Sequence, residues 1–230
     1  MAKKQALLVV TSNAQLGNTG GATGSWLEEL ASIYYGLKDA GVEVVIASPK
    51  GGKAPLDSAS LEEPWITVTG KRFLADTTAM AQLSRSVPLN SVVPDEVDAV
   101  VVIGGAGAAW DLPPDPVLAQ IIEKLNRSKR IVSGVCHGVL GLIGAKAPDG
   151  RLLVAERAIT GVSCEEERMI GYDKIVPMIP EQRLTELGAR YSCAAQAFGA
   201  HVVQDGNIVT GQNPASAPPL AQKLASMLQD

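Results

Sequence analysis

Short apolar runs alternate with helix-like segments along nearly the whole chain, and this alternation limits the possible folds most. The runs are continuous in apolar residues, which is typical of strands buried on both faces of a parallel sheet. Strands are predicted at Ala6–Thr11, Val42–Ala47, Asp98–Ile103, Arg130–Val135, Leu152–Ala155, Ala158–Val162, Arg190–Ala194 and His201–Thr210, the last one a hairpin turning at Asp205-Gly206. Helices are predicted at 23–39, 76–86, 116–127, from His137 onward, at Pro180–Gly188, and after a cap at Asn213-Pro214, whereas 53–75 reads as irregular. The pattern predicts an α/β fold, a doubly wound, mostly parallel sheet with helices on both faces and a small added hairpin.

Composition favours one globular domain over residues 1–230. Hydrophobic residues make up 46% of the chain and charged residues 19%, enough for a sizeable core. The net charge is −4 and no Lys/Arg run exceeds two residues, which argues against nucleic acid or an anionic membrane as a partner. Three cysteines do not form a disulfide framework and fit a reducing compartment. We therefore expect a cytoplasmic protein without a signal peptide or membrane segment.

The segment around Cys136 carries the clearest chemical signal. A β-branched run ends in Gly-Val-Cys-His-Gly and an apolar, helix-like stretch follows. This is the context in which a nucleophile is held on a sharp strand-to-helix turn, with Cys in the position that Ser takes in G-x-S-x-G. Small flanking residues let the two backbones approach. The helix dipole is expected to favour the thiolate. A buried structural cysteine is the alternative.

Two further loops follow predicted strands, one after Thr11 and one at Gly104–Gly107. Functional sites of parallel sheets lie beyond the carboxyl ends of their strands, so both loops are expected near Cys136. Backbone N–H groups of Gly105 or Ala106, together with that of His137, are candidates for stabilising an oxyanion or binding substrate. A tight turn before a helix is the alternative for the glycine loop. It is not G-x-G-x-x-G, because Trp110 takes the place of the third glycine, so a dinucleotide cofactor is not expected.

Taken together, these motifs resemble those of the ThiJ/PfpI superfamily, which has a class I glutamine amidotransferase-like, flavodoxin-type fold. The similarity covers about residues 6 to 227 and is strongest to the branch of stress-inducible chaperones and glutathione-independent glyoxalases (glyoxalase III). Four stretches carry it, namely residues 23–30, 104–107 with 110–113, 135–138 and 210–216.

The resemblance implies roles for four side chains. Cys136 would be the nucleophile, His137 the proton shuttle, Glu29 the carboxylate of the first helix, and Glu167 a second acid. Three positions depart from the family pattern: Ala106 replaces a His in the glycine loop, Val139 replaces a Pro, and Ile33 replaces a helical Pro. A carboxyl group beside a thiolate would keep its proton through like-charge repulsion, so Glu29 is expected to donate a hydrogen bond to sulfur.

The remaining candidates are predicted to be structural. The glutaminase His-x-Glu pair of this fold is absent, because the sequence reads His201-Val202-Val203. Residues 165–167 are three consecutive Glu, which is typical of a solvated helix start. The resemblance assigns a functional role to Glu167 alone among them. Cys164 and Cys193 are expected to be packing residues. No metal site is predicted, since the chain has no C-x-x-C and no His pair at helical spacing.

The resemblance therefore implies a cofactor-free glyoxalase that converts methylglyoxal or a related 2-oxoaldehyde to a 2-hydroxy acid. Deglycation of early carbonyl adducts on proteins would use the same attack. Two alternatives stay open, a holding chaperone and a redox sensor in which peroxide oxidises Cys136 to the sulfinic acid. The expected partner is a small carbonyl substrate, and the resemblance implies a homodimer.

Overall fold

The computed structural model describes residues 3–229, and its centre is a seven-stranded sheet. The strand order is β3-β2-β1-β4-β5-β9-β8, and every pair is parallel except the β8–β9 hairpin. Two further strands, β6 and β7, form a small parallel pair beside it. The strands are β1 Gln5–Val9, β2 Glu43–Ser48, β3 Val87–Pro88, β4 Ala99–Val102, β5 Ile131–Val135, β6 Ala158–Ile159, β7 Arg190–Tyr191, β8 Val202–Asp205 and β9 Ile208–Gly211.

Helices cover both faces of the sheet. They are α1 Leu27–Asp39, α2 Val68–Ala75, α3 Thr77–Ser84, α4 Ala108–Asp111, α5 Pro116–Arg127, α6 Cys164–Ile170, α7 Pro180–Glu186 and α8 Ala217–Gln229. One hydrophobic core lies under α1, α2, α3 and α8, and a second lies under α4, α5 and α7. Continuous apolar strands such as β4, buried at every position, separate the two cores. The predicted doubly wound architecture with its hairpin is confirmed.

Strand register brings the expected loops to one edge of the sheet. Val102, the last residue of β4, pairs with Gly134 of β5, and Val135 pairs with Gly211 of β9. The segment after β4, the turn after β5 and the segment after β9 therefore leave the sheet side by side. This edge holds the candidate site.

Two local predictions were wrong. Residues 53–75 are not irregular throughout, because Thr67 caps α2 by accepting a hydrogen bond from the N–H of Gly70. Leu152–Ala155 forms turns and one isolated bridge, not a strand. The helix predicted from His137 onward is present, and it is a 3-10 helix over Cys136–Leu142.

None of the helices within residues 3–229 has the length and apolar character that spanning a bilayer requires.

Candidate active site

Cys136 lies on a sharp turn between β5 and the 3-10 helix. Its φ is 56°, in the left-handed region that non-glycine residues rarely adopt. The adjoining glycines permit the close approach that the turn imposes. A Cβ on Gly138 would clash with the backbone oxygen of Val102, and one on Gly134 would lie 3.0 Å from Cα of Val139. The predicted reason for small flanking residues is therefore confirmed.

The sulfur of Cys136 is buried and surrounded by hydrogen-bond donors. The residue is only 6% exposed, and it lines the end of a cavity. The backbone N–H groups of Gly105 and His137 favour the ionised form of the sulfur and lower the pKa of the thiol. Burial nevertheless raises the pKa of the thiol well above its ordinary value. Negative charge on the Glu29 carboxyl group raises it further once that group ionises. The expectation that the helix dipole keeps this sulfur ionised is therefore wrong, because desolvation outweighs the donors.

Glu29 projects from the first turn of α1 into the protein beside the sulfur. Its Oε2 atom accepts a 2.9 Å hydrogen bond from the N–H of Gly104, and its carboxyl group contacts the Cys136 side chain. Burial raises the pKa of Glu29 to about 8, so this carboxyl group holds a proton at neutral pH. Oε1 makes no regular hydrogen bond within residues 3–229. A protonated Glu29 can thus donate to the sulfur, as the sequence reasoning expects.

His137 connects Cys136 to Glu167. Its Nδ1 atom lies 3.5 Å from the Cys136 sulfur, and its Nε2 atom lies 3.2 Å from Oε1 of Glu167. The second contact has the distance of an ion pair but not the orientation of a hydrogen bond. His137 is 3% exposed and Glu167 is fully buried. The three side chains therefore form a continuous chain of contacts ending at the cavity.

The helix that carries Glu167 is fixed by its neighbour Glu166. One oxygen of Glu166 accepts from the N–H of Ser163, completing a capping box, and the other accepts from the N–H of Phe198 and the side chain of Asn213. The side chains of Glu166 and Glu167 are both completely buried. The prediction that residues 165–167 are a solvated helix start holds only for Glu165, which is exposed.

A cavity of about 340 Å³ opens onto Cys136. Gly105, Ala106, His137 and Glu167 line it, so the cavity brings together most of the predicted site residues, while Glu29 lies behind the sulfur. The sequence reasoning missed the other walls: Trp26, Glu28, Asp57, Trp65, Tyr172 and Phe198. Asp57 and Trp65 come from the stretch predicted as irregular. Four of the nine aromatic residues of the chain lie at this cavity. The low number of aromatic residues in the chain is the one sequence feature that could have pointed to these four as candidate site residues.

Other predicted positions lie away from the sulfur. The segment after Thr11 packs behind Gly107 and is absent from the cavity wall. His201 bonds to the hydroxyl of Ser192 at 3.0 Å, in keeping with a structural role. Cys193 is exposed, so the prediction that it is a packing residue was wrong, whereas Cys164 is partly buried. Within residues 3–229 no three His, Cys, Asp or Glu side chains are grouped closely enough to hold a metal ion.

Fold and site together define a class of flavodoxin-like α/β domains that carry a cysteine on the turn after a central parallel strand. The family model described as DJ-1/PfpI matches residues 22–227, and the chain belongs to this family.

Several known proteins are similar to this chain over most of its length. The Saccharomyces cerevisiae protein named glutathione-independent glyoxalase HSP31 is 27% identical, covering 100% of both chains. The human glutamine amidotransferase-like class 1 domain-containing protein 1 is 31% identical over 78% of this chain and 77% of its own. Among solved structures, Francisella tularensis Rapid Encystment Protein 24 kDa matches with a TM-score of 0.93 and 33% identity, covering 98% of this chain and 99% of its own. The structure titled glyoxalase III from Candida albicans matches with a TM-score of 0.90 at 24% identity, covering 97% and 96%, and its similarity supports the fold.

Proposed function

We propose that this protein is a glutathione-independent glyoxalase that converts a 2-oxoaldehyde such as methylglyoxal to the 2-hydroxy acid. The observation that carries the proposal is the line of contacts from the Cys136 sulfur through His137 to Glu167 at the end of a cavity. The full-length similarity to a yeast protein named as such a glyoxalase supports it. Glutathione is not needed, because Cys136 supplies the thiol.

The first step is addition of the Cys136 sulfur to the aldehyde carbon. Since burial keeps the thiol protonated, its proton moves to Nδ1 of His137, 3.5 Å away, as the sulfur–carbon bond forms. The π electron pair of the carbonyl group moves onto its oxygen, which becomes an alkoxide. The nearby N–H groups of Gly105 and Ala106 are the candidate hydrogen-bond donors to this oxygen. The imidazolium then protonates the alkoxide, which gives a neutral hemithioacetal.

The second step moves a proton between the two carbonyl carbons. His137 takes the hydrogen of the former aldehyde carbon as a proton, and the electron pair flows into an enediolate. The imidazolium returns the proton to the neighbouring carbon, and the hydroxyl proton of the former aldehyde carbon passes to the oxygen of that neighbouring carbon. The aldehyde carbon is thereby oxidised to a thioester while the ketone carbon is reduced to an alcohol, so no external oxidant or reductant takes part.

The last step is hydrolysis. Water adds to the thioester carbon, the carbon–sulfur bond breaks, and the sulfur regains a proton. The sum is one 2-oxoaldehyde plus one water giving one 2-hydroxy acid. A protonated Glu29 beside the sulfur can stabilise the thiolate as it leaves, since its pKa is raised to about 8.

The test is to incubate the purified protein with methylglyoxal in the absence of glutathione and to quantify lactate. We expect lactate to form with first-order dependence on enzyme and to be unaffected by added glutathione. Absence of lactate, or formation only when glutathione is present, would contradict the proposal.

A further inference from the structure

Aromatic side chains are concentrated at the cavity beside Cys136. Trp26, Trp65, Tyr172 and Phe198 all line it, although the chain has only nine aromatic residues. The rings of Trp26 and Trp65 meet edge to face with centroids 5.9 Å apart. Phe198 has a φ of 61°, and its N–H is held by the buried carboxylate of Glu166, so its place in the wall is fixed despite backbone strain.

The volume of the cavity exceeds what the smallest substrate needs. About 340 Å³ lies in the range of pockets that enclose drug-sized ligands. Methylglyoxal has five non-hydrogen atoms, and its methyl group would leave most of the aromatic wall in contact with water. Ala106, where the family carries a His, adds no polar group to this wall.

The charged groups of the cavity are all acidic apart from His137. Glu28 accepts hydrogen bonds from the hydroxyls of Ser32 and Thr67, and Asp57 accepts from the hydroxyl of Thr23 and the N–H of Ala59. These donors are neutral, so they leave the negative charge uncompensated. Among the described residues that line the cavity there is no Lys or Arg. A carboxylate on a ligand would therefore be repelled by these acidic side chains and would find no cationic partner.

We propose that this cavity takes neutral 2-oxoaldehydes with an aromatic or branched aliphatic substituent and rejects those that carry a carboxylate. The proposal rests on the glyoxalase function proposed above and specifies its substrate class. It also explains product release, because the reaction turns a neutral substrate into an anionic 2-hydroxy acid that the acidic wall repels.

The kinetic test compares three aldehydes without glutathione: methylglyoxal, phenylglyoxal and para-carboxyphenylglyoxal. We expect kcat/KM for phenylglyoxal to exceed that for methylglyoxal by at least about tenfold, since the ring is buried against aromatic side chains. We expect the carboxylated compound to fall below phenylglyoxal by about tenfold or more. Equal or lower kcat/KM for phenylglyoxal than for methylglyoxal, or no penalty for the carboxylate, would overturn the proposal.

Two neighbouring residues of α6 form a matched pair of variants. Ile170 and Met169 are 41% and 63% exposed, and only Ile170 lines the cavity. We expect Ile170→Ala to raise KM for phenylglyoxal severalfold and to reduce its preference over methylglyoxal, whereas Met169→Ala keeps the preference of the wild type. Equal effects of the two variants would count against the apolar wall.

Binding without catalysis separates this proposal from the glyoxalase function. Calorimetric titration of Cys136→Ala with acetophenone and with benzoate compares a neutral and an anionic aryl ligand of similar size. We expect acetophenone to bind at least about tenfold more tightly. If that holds while the wild type forms no 2-hydroxy acid, only the glyoxalase function fails; if lactate forms but acetophenone binds no better than benzoate, only the substrate class fails.

Discussion

The Nε2 atom of His137 lies 3.2 Å from the Oε1 atom of Glu167, and both side chains are almost completely removed from solvent. Neither oxygen of Glu167 makes a regular hydrogen bond within residues 3–229. A buried carboxylate without donors costs folding free energy. Its position is explained if His137 becomes an imidazolium during the reaction, because Glu167 then stabilises the positive charge at contact distance.

Glu167→Gln is expected to lower kcat by about 100-fold or more, since the imidazolium loses its anionic partner. The same substitution removes an unsatisfied buried charge, so the melting temperature should stay unchanged or rise. Steady-state kinetics and thermal unfolding measure the two effects. Glu165→Gln is the matched control on the exposed side of the same helix and should change neither quantity. A Glu167→Gln variant with normal kcat would remove Glu167 from the mechanism.

His137→Ala and Glu167→Gln should be strongly non-additive. If Glu167 acts only through the imidazole, the double variant should be about as active as His137→Ala alone, itself expected to be down by roughly 100-fold to 10,000-fold. The cycle of four kcat values measures this coupling. Independent, multiplicative losses would show that Glu167 acts on the substrate without His137.

Glu29→Gln should change how stability depends on pH. Because the pKa of Glu29 is about 8 in the folded protein, against about 4.3 in an unfolded chain, the folded state holds one more proton between these values. This group therefore lowers wild-type stability as pH rises, by roughly 1.4 kcal/mol per pH unit across that window. Gln keeps an acceptor for the N–H of Gly104 and does not titrate.

We expect Glu29→Gln to be clearly more stable than the wild type at pH 8 and to lose most of that advantage at pH 5. Urea unfolding at both pH values measures the difference. Glu43→Gln, at an exposed position at the start of β2, provides the control without a pH-dependent difference. A constant difference between Glu29→Gln and the wild type would mean that Glu29 is ionised in the folded protein.

Gly138→Ala tests the packing of the turn. The added methyl group would overlap the backbone oxygen of Val102, and neither backbone can move without disturbing the sheet. We expect a loss of stability of about 2 kcal/mol or more and loss of activity. Gly21→Ala, whose nearest contact is the side-chain hydroxyl of Thr19 at 3.1 Å and not a backbone atom, should melt close to the wild type. Equal melting temperatures for the two variants would contradict the close approach at Gly138.

The sequence predicts the scaffold of the site better than its electrostatics. The turn at Cys136 was readable because glycines and a β-branched run leave few backbone alternatives. The protonation state of the Cys136 sulfur could not be predicted from the sequence. The helix dipole can be inferred from local sequence, but the depth at which the side chain is buried cannot. Three consecutive acidic residues look solvated in any local window. Glu166 and Glu167 are buried because the chain around Phe198 and Asn213 returns to cover them, which is a tertiary contact.

The residues that line the cavity could not be predicted from the sequence for a similar reason. Trp26, Trp65, Tyr172 and Phe198 come from four separate segments, and no spacing rule relates them. The helix α2 was missed because it has only eight residues and a weak helical period, although the Thr67 cap was present in the sequence.

The central claim is that the sulfur of Cys136 forms the bond to substrate, and the rate of lactate formation by Cys136→Ala tests it most directly. Cys193→Ala, which removes an exposed cysteine away from the cavity, is the control. The account predicts that Cys136→Ala loses at least about 1,000-fold in kcat while Cys193→Ala keeps the wild-type rate. Undiminished lactate formation by Cys136→Ala would contradict it.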